Sequence, residues 1–411
     1  MNIMKKNLTW NMIGSLVNTS ISLLFLIIVT RINGKNEAGI FTFAFSIGCF
    51  MQVIANYYGR TFQVTNIDKK ISNSDFLYNR VTTSLIMLFV VFCYLLIKDY
   101  SLYKNVIILL FILFRLLESI ADSLYAILQE NEELYKVGIS LFIKGIFYII
   151  IFLIVDIITK NIILSIASII LVNLIVFIIY DIQNVKKLLK LEKFKLSVNN
   201  KLLKIGFFTF ALTFLTQYIL NAPKYTIDEL MSNSDQTIFG IIIMPATVLI
   251  LFSQLVIQPF LTKIKNLIYK KKFNELNKLN DKIIIFILLF GGVGLVLVYF
   301  IGIPFLNFLY GLKLNKYLSS LLIIILGSVF FSISYIISAI LIALRKTFIQ
   351  MVFYIIASIF VFFVSHVLIK EYGIYGASLS YMVTMLFIVV MYIIYFKIII
   401  NIRRREVNEE K

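Results

Sequence analysis

The most constraining feature of this chain is a succession of long apolar stretches separated by short charged segments. A helix needs about 20 mostly apolar residues to cross the hydrocarbon core of a bilayer. Hydrophobic residues make up 60% of the 411 residues, whereas an ordinary soluble domain contains about 45–50%. The sequence therefore predicts an all-α polytopic membrane protein and excludes a soluble fold.

Apolar runs bounded by charged residues predict twelve membrane-spanning helices, six in each half of the chain. The predicted spans are 9–30, 38–58, 81–97, 105–129, 137–157, 161–180, 205–225, 238–260, 283–301, 317–344, 347–369 and 374–398. They define an N-terminal six-helix lobe (1–180), a basic cytoplasmic linker (181–204), a C-terminal six-helix lobe (205–400) and a cytoplasmic tail (401–411). Equal halves of this kind are typical of two-lobed transporters with parallel repeats.

The chain is strongly basic, with a net charge of +18 from 39 Lys and Arg against 21 Asp and Glu. Lys and Arg accumulate in the cytoplasmic loops of membrane proteins, and the segments 181–204 and 261–282 contain seven lysines each. This distribution predicts that both termini lie in the cytoplasm. Because membrane topology accounts for the basic excess, we expect no nucleic-acid partner.

The sequence lacks catalytic and metal-binding patterns. Cys49 and Cys93 fall in separate spans, so they predict neither a disulfide framework nor a metal pair. His366 is the single histidine and has no partner for a metal site or a catalytic base, which favours a structural role. The chain contains no Gly-rich phosphate loop, no HExxH and no GxSxG motif. We therefore expect a protein that is not an enzyme and that needs no metal or cofactor.

Three predicted spans carry polar residues along one helical face. In the first span, Asn11, Ser15, Asn18 and Ser22 are four, three and four residues apart and therefore share a face. The other two stripes are Thr42, Ser46, Cys49 and Asn56 in the second span, and Thr209, Thr213, Thr216, Gln217, Asn221 and Lys224 in the seventh. Packing between helices explains any single residue of this kind. Three stripes together favour a polar cavity.

The fourth span carries Arg115, Glu118 and Asp122 on one face. Each ionisable group at membrane depth costs at least about 2.5 kcal/mol, so these groups need partners. Arg115 and Glu118 are three residues apart and can pair on the helix surface. Lys144, at a similar depth in the next span, is the predicted partner of Asp122.

Two interpretations of this charged cluster remain open. One is an ion-pair network that stabilises the first lobe, since buried charges are normally paired. The other is a coupling site whose carboxylates exchange protons or bind a monovalent cation as a cavity opens and closes.

Cations also mark the ends of several spans. Arg31 and Lys224 lie at the predicted outer ends of polar-striped spans, where the positive-inside bias does not require cations, so both are predicted to bind an anion in the cavity. Arg60 is predicted to extend to the membrane interface as an ordinary snorkelling side chain.

All four prolines fall in the second half of the chain, at positions 223, 245, 259 and 304. Proline inside a span removes a backbone hydrogen bond and bends the helix. Pro223 and Pro245 are therefore predicted hinges in the seventh and eighth spans.

Several short motifs resemble those of a known family. They are Trp10-Asn11 and Gly14-Ser15; Thr30-Arg31, Gly34 and Glu37-Ala38-Gly39-Ile40-Phe41; Gly59-Arg60 and Gln63; Arg115, Glu118, Asp122, Tyr125 and Leu128-Gln129; Asn221-Ala222-Pro223-Lys224-Tyr225; and Gly302-Ile303-Pro304 with Leu309-Tyr310-Gly311. Through these motifs the chain resembles the Wzx-type repeat-unit flippases of O-antigen and capsule synthesis. Those flippases form a branch of the multidrug, oligosaccharidyl-lipid and polysaccharide exporter superfamily, and the resemblance spans nearly the whole chain.

The resemblance implies a MATE-like fold with two six-helix lobes around a central cavity. It implies a flippase in the bacterial cytoplasmic membrane that moves an undecaprenyl-diphosphate-linked oligosaccharide to the outer leaflet by alternating access. Polymerase and glycosyltransferases of the same pathway are the implied protein partners. The predicted cavity residues are Asn11, Ser15, Asn18, Arg31, Asn56, Arg115, Thr213, Gln217, Asn221 and Lys224. Lys224 stands where family members often have Arg, which keeps the charge but loses bidentate phosphate recognition.

Two other functions compete with this one. An ion-coupled exporter of small drugs from the same superfamily needs unpaired acids in its cavity, whereas Arg31 and Lys224 favour an anionic cargo. A membrane polymerase or ligase needs a large outside loop, and no predicted outside loop of this chain is long.

Overall fold

The computed structural model describes residues 3–64, 71–257 and 260–409. Within these ranges the chain folds into helices joined by short turns, and none of the described residues forms a β-strand. Large apolar side chains such as Phe89, Leu96 and Phe300 are more than half exposed on the helix surfaces, as lipid-facing side chains are. The predicted all-α membrane fold is confirmed.

The chain forms two compact units that divide between Phe214 and Leu215. The first unit contains α1 (Ile3–Ile32), α2 (Gly34–Asn56), α3 (Gly59–Val64), α4 (Asn73–Ile97), α5 (Leu102–Glu130), α6 (Leu134–Thr159), α7 (Ile162–Val185) and the first part of α8 (Leu196–Leu230). The division falls inside α8. The predicted lobe boundary at 180/181 falls inside α7.

The second unit starts with the last part of α8. Its further helices are α9 (Asn233–Ile242), α10 (Met244–Ile257), α11 (Leu261–Tyr269), α12 (Phe273–Tyr310), α13 (Leu318–Ala343) and α14 (Thr347–Glu409). The helix α14 bends at Gly373, where φ is 57° and ψ is −130°. This bend separates the predicted spans 347–369 and 374–398.

Ten helices within the described residues are long and apolar enough to cross a membrane. The helix α5 is 29 residues long but is not one of the ten, because Arg115, Glu118 and Asp122 interrupt its apolar sequence. With α5 added and α14 divided at Gly373, the described helices match the twelve predicted spans.

The predicted eighth span is interrupted at Ile243. The helix α9 ends at Ile242 and α10 begins at Met244, so the break lies next to Pro245. Proline is tolerated in the first turn of a helix, where its missing N–H has no partner to lose. By contrast, α8 continues through Pro223 without interruption. Pro259 lies outside the described residues, and the hinge roles of Pro223 and Pro245 remain predictions.

Side-chain caps explain where two helices begin. Ser72 accepts a hydrogen bond from the Asp75 backbone N–H, and the Asp75 carboxylate accepts one from the Ser72 N–H, each at 3.2 Å. Ser232 and Asp235 form the same reciprocal cap at the start of α9. Such capping boxes satisfy backbone donors that a helix start otherwise leaves without partners.

An aromatic cluster holds the first unit together. Phe25 of α1 stacks on Phe152 of α6 with ring centroids 4.5 Å apart, and Phe41 of α2 meets Phe111 of α5 edge-on at 5.1 Å. All four rings are at most 2% exposed. Offset and edge-on ring pairs stabilise a core beyond the burial of their area. This packing sets the positions of four of the helices that line the site described next.

Candidate functional site

A cavity of about 330 Å³ lies within the first unit. Side chains of α1, α2, α3, α5 and α6 line it, and most of them are polar or charged. The lining residues are Ser15, Asn18, Thr19, Gln52, Asn56, Arg60, Arg115, Glu118, Ala121, Asp122, Tyr125, Leu141, Lys144 and Tyr148. Four of the predicted cavity residues, Ser15, Asn18, Asn56 and Arg115, therefore meet in one place.

Helical periodicity explains how α5 supplies most of the cavity charge. Arg115, Glu118, Asp122 and Tyr125 are three, four and three residues apart, so they form one face of the helix. The opposite face of α5 is apolar, and on it Leu124 and Ile127 are buried whereas Leu113 is 44% exposed. The charged face of the fourth span, predicted from spacing alone, thus becomes one wall of the cavity.

Arg115 contacts a carboxylate, a thiol and an aromatic ring. Its Nη1 donates to Glu118 Oε2 at 2.6 Å, the pairing that the i,i+3 spacing predicts. Its Nη2 donates to Cys49 Sγ at 3.0 Å, and its guanidinium lies 4.7 Å from the centre of the Phe45 ring. The predicted Arg115–Glu118 pair is confirmed.

Lys144 pairs with Asp181, so the predicted Asp122–Lys144 pair is wrong. Lys144 Nζ lies 2.7 Å from Asp181 Oδ2, and Ser140 Oγ donates to Asp181 Oδ1 at 2.6 Å. The two paired side chains are only 4% and 1% exposed. Sequence analysis placed Asp181 in the linker because the apolar run ends at 180. In the structure it belongs to a π-helical stretch, Phe177–Ile182, which extends α7 by a further turn.

Asp122 has two cationic neighbours instead. Its Oδ1 lies 3.7 Å from Arg60 Nε, and its Oδ2 lies 3.6 Å from Arg80 Nη2. Both distances exceed the usual hydrogen-bond range of about 2.7–3.2 Å. The snorkelling role predicted for Arg60 is wrong, because the short helix α3 turns this side chain towards the cavity.

Arg80 is the cation that sequence analysis missed. The predicted third span starts at 81, whereas α4 begins at Asn73 and carries Arg80 inwards. The side chain is 1% exposed, its Nη1 donates to Asn56 Oδ1 at 2.8 Å, and its guanidinium lies 5.6 Å from the centre of the Tyr58 ring. A signal for Arg80 is present in the sequence. Polar Asn79, Arg80 and Thr83 lie at the start of the apolar run, and they would share the helix with it if the helix began several residues earlier.

The three carboxylates of the cluster are held differently. Glu118 and Asp181 each contact one cation at 2.7 Å or less, so each forms a short ion pair. Asp122 is 27% exposed and contacts its two arginines only at longer range. Four cations thus stand against three carboxylates, and Asp122, Arg60 and Arg80 form the loosely held part of the cluster.

The other predicted site residues lie elsewhere. Arg31 is exposed in the last turn of α1, Asn11 is half-buried one turn before Ser15, and neither is among the cavity-lining residues. Thr213 is exposed on α8 and donates to Thr209 O at 2.9 Å.

Three further predicted residues form a short chain along α8 in the second unit. Asn221 Nδ2 donates to Gln217 O at 3.0 Å, and Lys224 Nζ donates to Asn221 Oδ1 at 3.3 Å. The polar stripe of the seventh span is therefore linked internally at its C-terminal end.

His366 lies next to a carboxylate that the sequence did not reveal, and its structural role stays a prediction. Its Nε2 lies 3.1 Å from Glu229 Oε2, between α14 and the end of α8. Sequence alone could not pair these two residues, because they are 137 positions apart in the chain. Within the described ranges, no three His, Cys, Asp or Glu side chains are grouped so as to hold a metal ion.

Solved structures share this architecture. An inward-facing multidrug resistance MATE family transporter of the MOP superfamily superposes with a TM-score of 0.69 over 97% of this chain and 99% of that chain, at 10% identity. Its outward-facing counterpart gives 0.62 over 98% and 96%, at 11% identity. The chain has the MATE fold. A point mutant of the Vibrio cholerae MATE transporter VcmN gives 0.61 over 97% of each chain at 11% identity.

At the level of sequence, no family model matches the chain. The capsular polysaccharide biosynthesis protein CapF of Staphylococcus aureus is 24% identical over 400 residues, which cover 96% of this chain and 99% of that protein. With the MATE fold, this similarity confirms the resemblance to the polysaccharide exporters that the sequence motifs indicated.

Proposed function

We propose that the protein is a flippase for a lipid-linked oligosaccharide. In this proposal, an oligosaccharide repeat unit on undecaprenyl diphosphate moves from the cytoplasmic to the outer leaflet of the bacterial cytoplasmic membrane by alternating access, for capsule or O-antigen synthesis. The observation that carries the proposal is the polar cavity of the first unit, with its excess of cations.

The charges of this cavity suit a diphosphate. Glu118 and Asp181 neutralise Arg115 and Lys144 at short range. Asp122 alone is shared between Arg60 and Arg80, so the positive charge of these two arginines is only partly balanced. Arginine binds phosphate oxygens through paired hydrogen bonds that point in fixed directions. A diphosphate entering the cavity therefore meets the Arg60 guanidinium, which lines the cavity and is not committed to a short ion pair.

The neutral lining residues suit a sugar. Ser15, Asn18, Thr19, Gln52 and Asn56 offer hydroxyl and amide groups, which both donate and accept hydrogen bonds. Sugar hydroxyls need such partners when they leave water, because an unpaired polar group inside a protein is costly. The same groups serve many different sugars, so the cavity supports a class of substrate and not one repeat unit.

The similarity to a capsular polysaccharide biosynthesis protein supports the same substrate class. Polymerase and glycosyltransferases of such a pathway are the proposed partners. Drug export is not favoured, because a cavity for organic cations needs an acidic excess and this cavity has the opposite balance. Arg31 and Lys224 are proposed to contact the diphosphate at the outer end of the pathway.

Complementation of a deletion strain tests the proposal. We expect the wild-type gene to restore surface polysaccharide and Arg60→Gln to reduce it about tenfold, the loss expected from one charge-assisted hydrogen bond. Arg60→Lys should retain more than Arg60→Gln. The matched control is Lys136→Gln, which removes a cation of α6 that pairs with Glu133 instead of lining the cavity. Immunoblots check that each variant is produced.

Two results would contradict the proposal. Normal polysaccharide with Arg60→Gln at normal expression rejects the cavity as the diphosphate path. An unchanged cell surface in the deletion strain itself rejects the flippase function. The same strain reports on the outer cations, since Arg31→Ala and Lys224→Ala should lower export whereas Arg31→Lys and Lys224→Arg should retain it.

A further inference from the structure

A second cavity lies in the other unit, where α11 meets the start of α12. It has a volume of about 480 Å³. The residues that line it, which we call the basic groove, are Phe260, Lys263, Leu279, Lys282, Ile283 and Phe286. None of them belongs to the cavity of the first unit.

The floor and edge of the basic groove are apolar. Leu279, Lys282, Ile283 and Phe286 are three, one and three residues apart, so they share one face of α12. Leu279 and Ile283 are 7% and 3% exposed and form the floor, whereas Phe286 is 48% exposed at the edge. From 279 to 286 the helix rises by about 10 Å. This length accommodates a phosphate headgroup and the first carbons of an acyl chain.

The polar end of the groove carries two lysines. Lys282 directly precedes the apolar run that starts at Ile283, so it lies where α12 enters the membrane. Lys263 faces the same groove from α11. Both side chains are exposed, and within the described residues neither forms a salt bridge, whereas nearby Lys272 pairs with Glu275 at 2.6 Å.

The neighbourhood of the groove fits a membrane surface. The segment 261–282 contains seven lysines against two acidic residues, Glu275 and Asp281. On α11, Ile264 is fully buried and Leu267 is 7% exposed, while the lysines point outwards. Tyr269 ends this helix with 87% exposure. Amphipathic helices with this arrangement lie in the headgroup region and attract anionic lipids.

We propose that the basic groove binds one anionic phospholipid. Its phosphate lies between Lys263 and Lys282, and its acyl chain runs along Leu279 and Ile283 to Phe286. A soluble anion would bind the lysines but leave the apolar floor of the groove uncovered. A zwitterionic lipid would place its own cationic headgroup beside the two lysines, which repel it. Each lysine near an anionic membrane surface strengthens binding several-fold, so the pair contributes about thirtyfold.

Lipid titration of the purified full-length protein in detergent tests the proposal, with binding followed by native mass spectrometry and thermal unfolding. Phosphatidylglycerol is compared with phosphatidylcholine of the same chains and with inorganic phosphate. The test variant is Lys263→Gln with Lys282→Gln. The matched control is Lys265→Gln with Lys278→Gln, which removes the same charge from the same two helices at exposed positions outside the groove.

We expect phosphatidylglycerol to bind and stabilise the wild type and the control, and to bind the test variant about thirtyfold more weakly. Phe286→Ser, which replaces a half-exposed side chain and should therefore fold, should also weaken binding. An equal loss in the control variant overturns the site, because it indicates general surface attraction. Equal stabilisation by phosphatidylcholine or by inorganic phosphate overturns the proposed ligand. Without lipid, all variants should unfold near the wild-type temperature.

Discussion

At the scale of residues, the charged cluster of the first unit consists of short ion pairs and of a loosely held group around Asp122. Lys144 and Asp181 are almost fully buried and 2.7 Å apart, whereas Asp122 contacts Arg60 and Arg80 at 3.6 Å or more. The structural interpretation of the cluster therefore suits the first pair. The coupling interpretation suits Asp122, because no short hydrogen bond holds it to Arg60 or Arg80.

The Lys144–Asp181 pair leads to a prediction about stability. Lys144→Met and Asp181→Asn should each destabilise the protein by about 3–5 kcal/mol, because each leaves one buried charge without its partner. The double variant should recover part of that loss. Thermal unfolding in detergent measures all three. The combination Lys144→Met with Asp122→Asn serves as the control and should show no such recovery, and additive losses in the Asp181 combination would contradict the pair.

At the scale of elements, a bend at Gly373 and a break at Ile243 interrupt long helices in the described part of the second unit. The break at Ile243 follows from Pro245, whose position after a helix end suits its missing N–H. The bend at Gly373 has another cause. Its φ of 57° with ψ of −130° lies in a region that residues with a Cβ rarely adopt. Glycine at this position therefore allows α14 to serve as two spans.

Gly373→Ala should accordingly lower the free energy of unfolding by about 1–3 kcal/mol, the usual cost of a strained backbone conformation. Space is not the obstacle, since the only described atom within 4 Å of an added Cβ is the flexible end of Met231. Gly292→Ala is the control, because Gly292 lies within α12 with nothing described within 4 Å of its added Cβ. That change should leave stability unchanged or raise it slightly. Equal effects of the two changes in thermal unfolding would refute the backbone explanation.

At the scale of the whole molecule, the lysine-rich segments determine the expected orientation. Cysteines introduced at Lys190 and Lys271, in a background without Cys49 and Cys93, should resist a membrane-impermeant thiol reagent applied to intact cells. A cysteine at Lys313 should react, because it lies in a predicted outside loop. Permeabilised cells, in which all three should react, provide the control. Labelling in the reverse sense would invert the topology and with it the direction of the proposed transport.

Properties that depend on composition and on near neighbours in the sequence were determined by the sequence itself. The apolar content and the length of the runs decide that the chain is an all-helical membrane protein, since a continuous apolar run of this length satisfies its own backbone in lipid only as a helix. Helical spacing alone placed Ser15 and Asn18 on one face and paired Arg115 with Glu118. These results follow because residues three or four positions apart on a helix are neighbours whatever surrounds them.

The partners of the remaining charges were decided only by the tertiary structure. The pairing of Lys144 with Asp181 depends on a π-helical stretch that extends α7 beyond its apolar run. The approach of Arg60 and Arg80 to Asp122 depends on how α3 and α4 are placed against α5. Contacts between helices require the depth and rotation of each helix about its axis. Apolar spans constrain both quantities weakly, because their lipid-facing sides are chemically alike, and only side-chain packing in the folded unit selects one arrangement.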